Sequence, residues 1–155
     1  MIDYSNGNLH DINHFMKVYA YAKTIGECEK VDKYTQSILE VAAIMHDIAC
    51  PLCREKYGHT EGKYQEKEGI LLAEEFLKDT DFSKEFVDRV VYLIRHHHTI
   101  SAIDGIDYQI LIEADYLVNA DESNYSKENI ENTLNKVFQT KTGISLLQSI
   151  YQNKC

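Results

Sequence analysis

The sequence predicts a single all-α domain, and three features of composition and patterning lead to that prediction. The chain has 155 residues, the size of one ordinary domain, and 44% of them are hydrophobic, enough for a packed core. It contains one proline and seven glycines, and this scarcity of chain-breaking residues favours long helices. Apolar residues recur at helical spacing almost throughout, and no stretch alternates with period two for long enough to indicate a sheet.

Apolar stripes predict the first two helices in order. The first stripe consists of Ile12, Phe15, Met16, Tyr19, Ala22 and Ile25. The second consists of Tyr34, Ile38, Val41, Met45 and Ile48. We expect Pro51 to help end the second helix, and a polar loop to follow from Cys50 to about Gly62.

Five further stripes continue the helical pattern to the end of the chain. The third and fourth helices are marked by Ile70, Ala73, Phe76 and Leu77, and by Phe86, Val90, Leu93 and His97. The fifth and sixth are marked by Leu111, Ala114, Leu117 and Val118, and by Ile130, Leu134, Val137 and Phe138. Ser83 and Ser126 are the expected N-caps of the fourth and sixth helices, and a loop is expected from Thr99 to Asp107. Gly143 precedes a short last helix through Ile144, Leu147 and Ile150.

No linker, internal repeat or low-complexity segment divides the chain. We therefore expect one compact domain over residues 1–155. Its core extends from about residue 8 to 120, and C-terminal helices at 126–152 pack on that core.

Charge and hydropathy exclude several kinds of partner. The net charge of −9 argues against binding to a nucleic-acid polymer, which requires clustered Lys and Arg. The longest apolar runs are too short to span a bilayer, and the N-terminus lacks the basic start and apolar stretch of a signal peptide. We expect a cytoplasmic protein with no membrane partner, and a homodimer is one option for its assembly.

The four cysteines are expected to be reduced thiols, as is usual in the cytosol: Cys28, Cys50, Cys53 and Cys155. Cys50-Pro51-Leu52-Cys53 has the spacing of a redox motif or a zinc knuckle. No βαβ pattern surrounds it, and a structural zinc would need two more ligands, for which Cys28 and His59 match no familiar spacing. A redox or zinc protein built on these cysteines is therefore a minor alternative.

Imidazole and carboxylate groups lie on the inward faces of several predicted helices. His14 shares a helical line with Val18, Tyr21 and Ile25; His46 shares one with Leu39 and Ala42; and Asp115 shares one with Leu111 and Val118. Asp47 follows His46 at a helix end, where the backbone can turn its carboxylate toward the same point. An aspartate on an apolar helix face is costly unless it is paired or bound to a metal. Helical bundles commonly build metal sites in this way.

The order His…His-Asp…Asp on consecutive helices resembles the HD-domain superfamily of metal-dependent phosphohydrolases. The matching segments are residues 10–18, 43–49 and 112–117, and residues 57–66 also resemble a subgroup of predicted HD hydrolases. The resemblance implies a helical HD fold and one divalent metal held by His14, His46, Asp47 and Asp115. It also implies that metal-bound water attacks a phosphoester or phosphoanhydride.

Some members of the superfamily hold a second metal through histidines between the doublet and the final aspartate. His96 and His97 are the matching positions, but periodicity leaves open which residues of His96-His97-His98 turn inward. Gln65 stands about where a further histidine is normally found. Glu66 or Glu68 could ligate a metal, act as general base or support a ligand. One metal is therefore preferred and two are the alternative, with Mn, Fe, Co, Ni, Zn and Mg all open.

The resemblance implies a small phosphorylated substrate, with nucleotides as the leading class. Cations are needed to offset charge on the transferred phosphoryl oxygens, and four candidates flank the proposed ligands: Arg54, Lys56, Lys63 and Arg95. His59 or one of His96 to His98 could protonate the leaving oxygen. The alternative function is a non-catalytic HD module that senses or binds a ligand.

Overall fold

The computed structural model describes residues 1–152, and these residues form helices joined by short connections. The helices are α1 (Leu9–Cys28), α2 (Lys33–Met45), α3 (Cys50–Tyr57), α4 (Gly62–Leu77), α5 (Lys84–His96), α6 (Ile106–Glu122), α7 (Lys127–Lys136) and α8 (Lys141–Leu147). A 3-10 turn lies at Ile100–Ala102, and a π-helical turn at Gln148–Gln152. Residues 1–152 contain no strand, so the all-α prediction is confirmed. Cys155 and the last residues of the expected domain lie outside the described residues.

Both predicted serine caps begin their helices as expected. The Ser83 side chain accepts a hydrogen bond from the backbone N–H of Phe86 at 3.3 Å. The Ser126 side chain accepts one from the backbone N–H of Asn129 at 3.1 Å. Each cap satisfies a backbone donor that has no partner within the first turn of its helix.

The prediction of a loop from Cys50 to Gly62 is wrong for most of that segment, because Cys50–Tyr57 forms α3. Pro51 lies in the first turn of α3, where a helix makes no use of the N–H that proline lacks. The proline therefore helps to begin a helix rather than to end one. Residues 46–49 form the turn between α2 and α3. Gly58 ends α3 with a positive φ of 76°, a conformation that glycine adopts without steric penalty.

Other helix boundaries also differ from the sequence prediction. Helix α2 ends at Met45, before Ile48, and α8 ends at Leu147, so Ile150 lies in the π-helical turn. The sixth helix, α7, ends at Lys136, although its predicted stripe continued to Phe138. The fifth, α6, begins at Ile106, so the end of the expected Thr99–Asp107 loop is helical. Val137 and Phe138 are nevertheless buried, which explains why they continue the apolar pattern past the end of α7.

Helix α6 is the central element of the fold. Most of its residues are buried, as expected for a helix surrounded by others, and it packs against α1, α2 and α8. Helices α4 and α5 pack on each other, and α5 also packs on α2. No helix within residues 1–152 is long and apolar enough to cross a membrane. This arrangement brings α1, the end of α2 and α6 to one place, where the polar side chains meet.

Candidate metal centre

The structure brings together all four residues that the family resemblance implied as metal ligands. His14 Nε2 on α1 lies 3.1 Å from His46 Nε2, at the end of α2. Asp115 Oδ1 on α6 lies 3.2 Å from His14 Nε2 and 3.4 Å from His46 Nε2. Asp47 extends its two carboxylate oxygens toward the same point, with Oδ2 3.6 Å from His14 Nε2 and Oδ1 3.7 Å from His46 Nε2.

The separations among His14, His46 and Asp115 suit donor atoms that share one metal ion, and a carboxylate oxygen of Asp47 lies within 4.8 Å of a ring nitrogen of each histidine. Nitrogen and oxygen ligands lie about 2.0–2.2 Å from a bound transition metal, so neighbouring ligand atoms are roughly 2.8–3.6 Å apart. His14 and His46 are almost fully buried, and Asp115 is 9% exposed. Two imidazoles and two carboxylates are a donor set that divalent transition metals accept. The residues therefore fit a divalent cation.

Neighbouring groups fix the orientation of both histidine rings. His46 Nδ1 donates to the carbonyl oxygen of Ala43 at 2.9 Å, and His14 Nδ1 donates to Glu122 Oε2 at 2.8 Å. A carbonyl or carboxylate oxygen can only accept, so Nδ1 is the donor in both rings and Nε2 faces the shared point. Asn119 Nδ2 likewise donates to Asp115 Oδ1 at 2.9 Å. Such outer contacts are typical of metal-binding histidines and carboxylates.

Glu122 contacts the candidate centre through His14, and the sequence did not single it out. It lies at the end of α6, and its second oxygen accepts from Lys17 Nζ at 3.0 Å. The only signal in the sequence is its spacing of seven residues from Asp115, which puts both side chains on one face of α6. Glutamates at helix ends are usually solvated, so this spacing alone does not separate Glu122 from a surface residue.

The electrostatics of the site favour a positive charge. Burial lowers the pKa of His14, but the hydrogen bond to Asp115 and the charges of Asp47, Asp115 and Glu122 outweigh it and raise the pKa to about 9. Burial also lowers the pKa of His46, but the charges of Asp47 and Asp115 outweigh it, so that pKa is raised too. Burial raises the pKa of Asp115, but hydrogen bonds from both imidazoles more than reverse this and lower it. A metal ion and a proton would therefore compete for one negatively charged site.

The structure distinguishes the three consecutive histidines. His97 is buried, and its Nε2 lies 3.5 Å from Asp47 Oδ1. Ring nitrogens of His97 and His98 and an oxygen of Asp47 all lie within 4.8 Å of one another. His96 instead bonds to the carbonyl oxygen of Tyr92 at 2.8 Å and packs against its ring at 4.4 Å between centroids. His97 and His98 therefore join the site, and His96 does not.

Neither candidate glutamate lines the cavity around these ligands. Glu66 Oε1 accepts from the backbone N–H of His98 at 3.1 Å and from the Thr99 hydroxyl at 2.9 Å. It therefore holds the chain that carries His98. Glu68 Oε1 accepts from Lys56 Nζ at 2.8 Å and from the Tyr57 hydroxyl at 2.5 Å. Both carboxylates are thus occupied outside the cavity.

One of the four candidate phosphate-binding cations lines the cavity, which has a volume of about 450 Å³. That residue is Arg54, which forms an ion pair with Asp11 across the cavity wall. Lys56 is paired with Glu68, and Lys63 with Glu61 at 2.9 Å. Arg95 is exposed on α5 and does not line the cavity. The geometry thus supports Arg54 and does not bring Lys56, Lys63 or Arg95 to the site.

His59, another candidate proton donor, also lies away from the ligands. It is exposed and packs beside the rings of Tyr57 and Tyr64, at 6.2 and 5.1 Å between centroids. It is not among the residues that line the cavity. The histidines that do line it, apart from His14, are His10, His97 and His98.

The cysteines do not form a metal or redox centre in the described part of the chain. Cys50 and Cys53 are buried free thiols, and neither belongs to a cluster of potential metal ligands within residues 1–152. Burial raises the pKa of both thiols, with the charge of Asp47 adding to the effect at Cys50 and that of Glu68 at Cys53. Neutral thiols are poor ligands and poor nucleophiles. Nothing in this geometry favours the alternative of a redox or zinc protein.

The chain and its structure are similar to known HD proteins. The model of the HD domain family matches residues 11–128, more than half of the chain. A crystal structure of a predicted HD superfamily hydrolase from an uncultured Thermotogales bacterium is similar, with 26% sequence identity and a TM-score of 0.66. This similarity covers 91% of the present chain and 73% of that one. No curated protein matches the chain. The family match confirms the resemblance inferred from the ordered histidines and aspartates: the chain belongs to the HD domain family.

Proposed function

We propose that the protein is a metal-dependent phosphohydrolase that cleaves a phosphoester or phosphoanhydride of a small molecule. The observation that carries this proposal is the convergence of His14, His46, Asp47 and Asp115 on one point, beside a cavity that three of them line: His14, Asp47 and Asp115. The similar Thermotogales protein is a predicted HD superfamily hydrolase, which supports the same class of reaction. One divalent metal, held by these four residues, is sufficient for the proposal.

A divalent metal at this position would polarise a phosphoryl oxygen and make bound water nucleophilic near neutral pH. The protein residues supply the positioning. Glu122 and the Ala43 carbonyl hold the His14 and His46 rings so that each Nε2 faces the centre. Arg54 lies at the cavity wall and presents a planar guanidinium, which suits bidentate contact with phosphate. Substrate phosphate would take the place of Asp11 as the partner of Arg54.

Nucleotides are the leading substrate class in this proposal. The cavity wall includes the rings of Tyr116 and Tyr125, whose centroids are 5.5 Å apart, as well as Ile112 and Ile100. Tyr125 is 37% exposed, so its side chain is accessible to a ligand. Aromatic faces of this kind stack on nucleobases with little preference for sequence or base. The phosphate would then lie toward Arg54 and the metal ligands.

We also propose that the protein acts in the cytoplasm on a small molecule rather than on a nucleic-acid polymer. The net charge of −9 supports this, because polymer binding depends on clustered cations. The cavity volume of about 450 Å³ is that of a small-molecule site. A homodimer remains a prediction that the size of the particle in solution would test.

A hydrolysis screen with added metals tests the proposed function. Protein purified without chelator would be assayed for bound metal, and then screened against nucleotides, dinucleotides and phosphosugars with Mn²⁺, Co²⁺ or Fe²⁺. We expect turnover of at least one compound, and loss of both metal and turnover in His46→Ala and Asp47→Ala. His59→Ala, a histidine outside the cavity, should retain both.

Two results would count against this function. Turnover that survives His46→Ala would mean that the reaction takes place elsewhere. Bound metal without hydrolysis of any compound in the screen would favour the alternative, an HD module that binds a ligand without turnover.

A further inference from the structure

We propose that Gln65 supplies an oxygen donor to a second divalent cation, held beside the first by Asp47, His97 and His98. The inference deepens the proposed function and rests on its first metal position. It also names the class of metal: Mn²⁺ or Mg²⁺ in preference to Zn²⁺. The notable feature is that an amide, rather than an imidazole, occupies this place in the chain.

Two buried acceptor atoms in the cavity have no hydrogen-bond partner among the described residues. They are His97 Nε2 and Gln65 Oε1, and both residues line the cavity that holds the first metal ligands. His97 is 2% exposed and Gln65 is 5% exposed. Buried polar atoms without partners are uncommon in native proteins, because each has lost its contact with water. Because both residues line one cavity, a cation bound there is the partner that we propose for both atoms.

Neighbouring contacts determine which atom of each side chain is free. Gln65 Nε2 donates to the carbonyl oxygen of Thr60 at 2.8 Å, so the amide orientation is set and Oε1 is the unpaired atom. His97 Nδ1 donates to the carbonyl oxygen of Ile94 at 2.7 Å, which leaves the lone pair on Nε2. Both side chains therefore present an acceptor, and neither presents a proton that would repel a cation.

The first turn of α4 places Gln65 close to the histidine pair. A Cβ atom on Gly62 would lie 2.6 Å from the ring of His98, so the backbone of α4 approaches that ring too closely for any other residue. Gln65 is three positions further along, on the same face of the helix. The glycine thus allows the contact that brings the amide into the cavity.

Asp47 can serve both metal positions. Its Oδ1 lies 3.5 Å from His97 Nε2 and 3.7 Å from His46 Nε2, and its Oδ2 lies 3.6 Å from His14 Nε2. The carboxylate therefore lies between the first group of ligands and the pair His97 and His98. A shared carboxylate is a common bridge in sites that hold two metals.

The donor set decides which metals the second position prefers. The proposed ligands are two imidazoles, a carboxylate and an amide oxygen. With histidine in place of Gln65, a nitrogen donor would replace the amide oxygen, which is the harder ligand. Amide and carboxylate oxygens suit Mn²⁺ and Mg²⁺, whereas imidazole suits Zn²⁺, Fe²⁺ and Ni²⁺. We therefore expect the second position to bind metal more weakly than the first and to be filled by Mn²⁺.

Manganese titration of the metal-depleted 155-residue chain tests the proposal without reference to activity. Calorimetry and electron paramagnetic resonance would report the number of bound ions and whether two of them are magnetically coupled. We expect two Mn²⁺ per chain with a coupled signal. In Gln65→Leu the second ion should bind at least about tenfold more weakly and the coupled signal should be lost, while the first ion remains.

Gln36 provides a matched control for the loss of a buried amide. Its Oε1 is also buried without a partner, but its Nε2 donates to Glu40 on α2, away from the cavity. Gln36→Leu should keep both ions. Two further substitutions allow a test if Gln65→Leu does not fold: Gln65→Glu should tighten the second Mn²⁺, and Gln65→His should raise the affinity of that position for Zn²⁺.

Each outcome decides the matter. One Mn²⁺ per chain in the unaltered protein, or the same second affinity in Gln65→Leu and Gln65→Glu as in the unaltered protein, would overturn the role of Gln65. Hydrolysis by a protein that binds only one ion even at saturating Mn²⁺ would overturn this inference and leave the proposed function intact. Loss of hydrolysis with two bound ions would overturn only the function.

Discussion

At the scale of single residues, the candidate centre depends on groups that orient its ligands as much as on the ligands themselves. His14, His46 and Asp115 lie on different helices, and their donor atoms converge to within 3.1–3.4 Å. Glu122 and the Ala43 carbonyl determine which nitrogen of each ring faces the centre. The ligands could be inferred from the sequence because their residue types are costly on apolar helix faces.

Replacing Glu122 by Gln should weaken metal binding without removing a ligand. The amide keeps the size of the side chain but loses the charge that supports the His14 ring and its lone pair. We expect metal affinity to fall roughly 10- to 100-fold, as is usual for partners of metal-bound histidines. Competition with a metal-sensitive dye would measure it. Asp121→Asn, at the exposed neighbouring position, should bind as the unaltered protein does.

The pKa of His14 gives metal-free protein a characteristic dependence on pH. The folded-state pKa is raised from 6.5 to about 9, so the folded state holds a proton that the unfolded chain has already lost. The resulting stabilisation is complete below pH 6.5 and is lost as the pH rises through about 9. We expect the Tm of metal-free protein to fall by roughly 5 °C over this interval. Metal affinity should rise over the same interval, because the proton that competes for Nε2 is lost. A Tm that is constant with pH in the metal-free protein would contradict this.

Arg54 is expected to contribute to substrate binding where the other candidate cations do not. It lines the cavity, whereas Arg95 is exposed on α5 and does not line it. Once a substrate is found, Arg54→Ala should lower kcat/KM roughly 10- to 100-fold, the effect of losing hydrogen bonds to a charged group. Arg95→Ala should leave kcat/KM unchanged, and equal losses in the two variants would show that the cation was wrongly chosen.

At the scale of helices, the sequence predicted most elements, and its misses have physical causes. Long apolar stripes revealed α1, α2 and α6, because burial of one helix face imposes their spacing. Helix α3 was missed because its eight residues include charged side chains and a proline. The sequence also could not predict which of His96 to His98 faces the site. Helix α5 ends at His96, so helical spacing no longer fixes the direction of the next two side chains.

Glu113 joins the C-terminal helices to the centre of the fold. It is fully buried on α6, and its Oε1 accepts from the backbone N–H groups of Gln139 and Thr140, at 2.7 and 3.0 Å. Glu113→Ala would leave these donors without a partner. We expect the free energy of unfolding to fall by about 2–4 kcal/mol in urea denaturation. Glu131→Ala, on the exposed surface of α7, is the control and should change it little.

At the scale of the whole molecule, the helix packing that forms the core also positions the candidate metal ligands. Helices α1, α2 and α6 pack on one another through their apolar faces, and the same packing brings His14, His46 and Asp115 together. The sequence could predict this assembly because apolar periodicity and ligand order point to the same fold. It could not predict Glu122, whose partner His14 is 108 residues away in the chain, or the free oxygen of Gln65, which depends on the contact with Thr60.

The most direct test of the centre is a crystal structure of the protein grown with Mn²⁺, in which anomalous scattering locates the bound ions. We predict a strong anomalous peak in contact with His14, His46, Asp47 and Asp115 together. No peak at these four residues at a saturating concentration of Mn²⁺, whether or not one appears elsewhere, such as beside Cys50 and Cys53, would contradict their assignment as the metal centre.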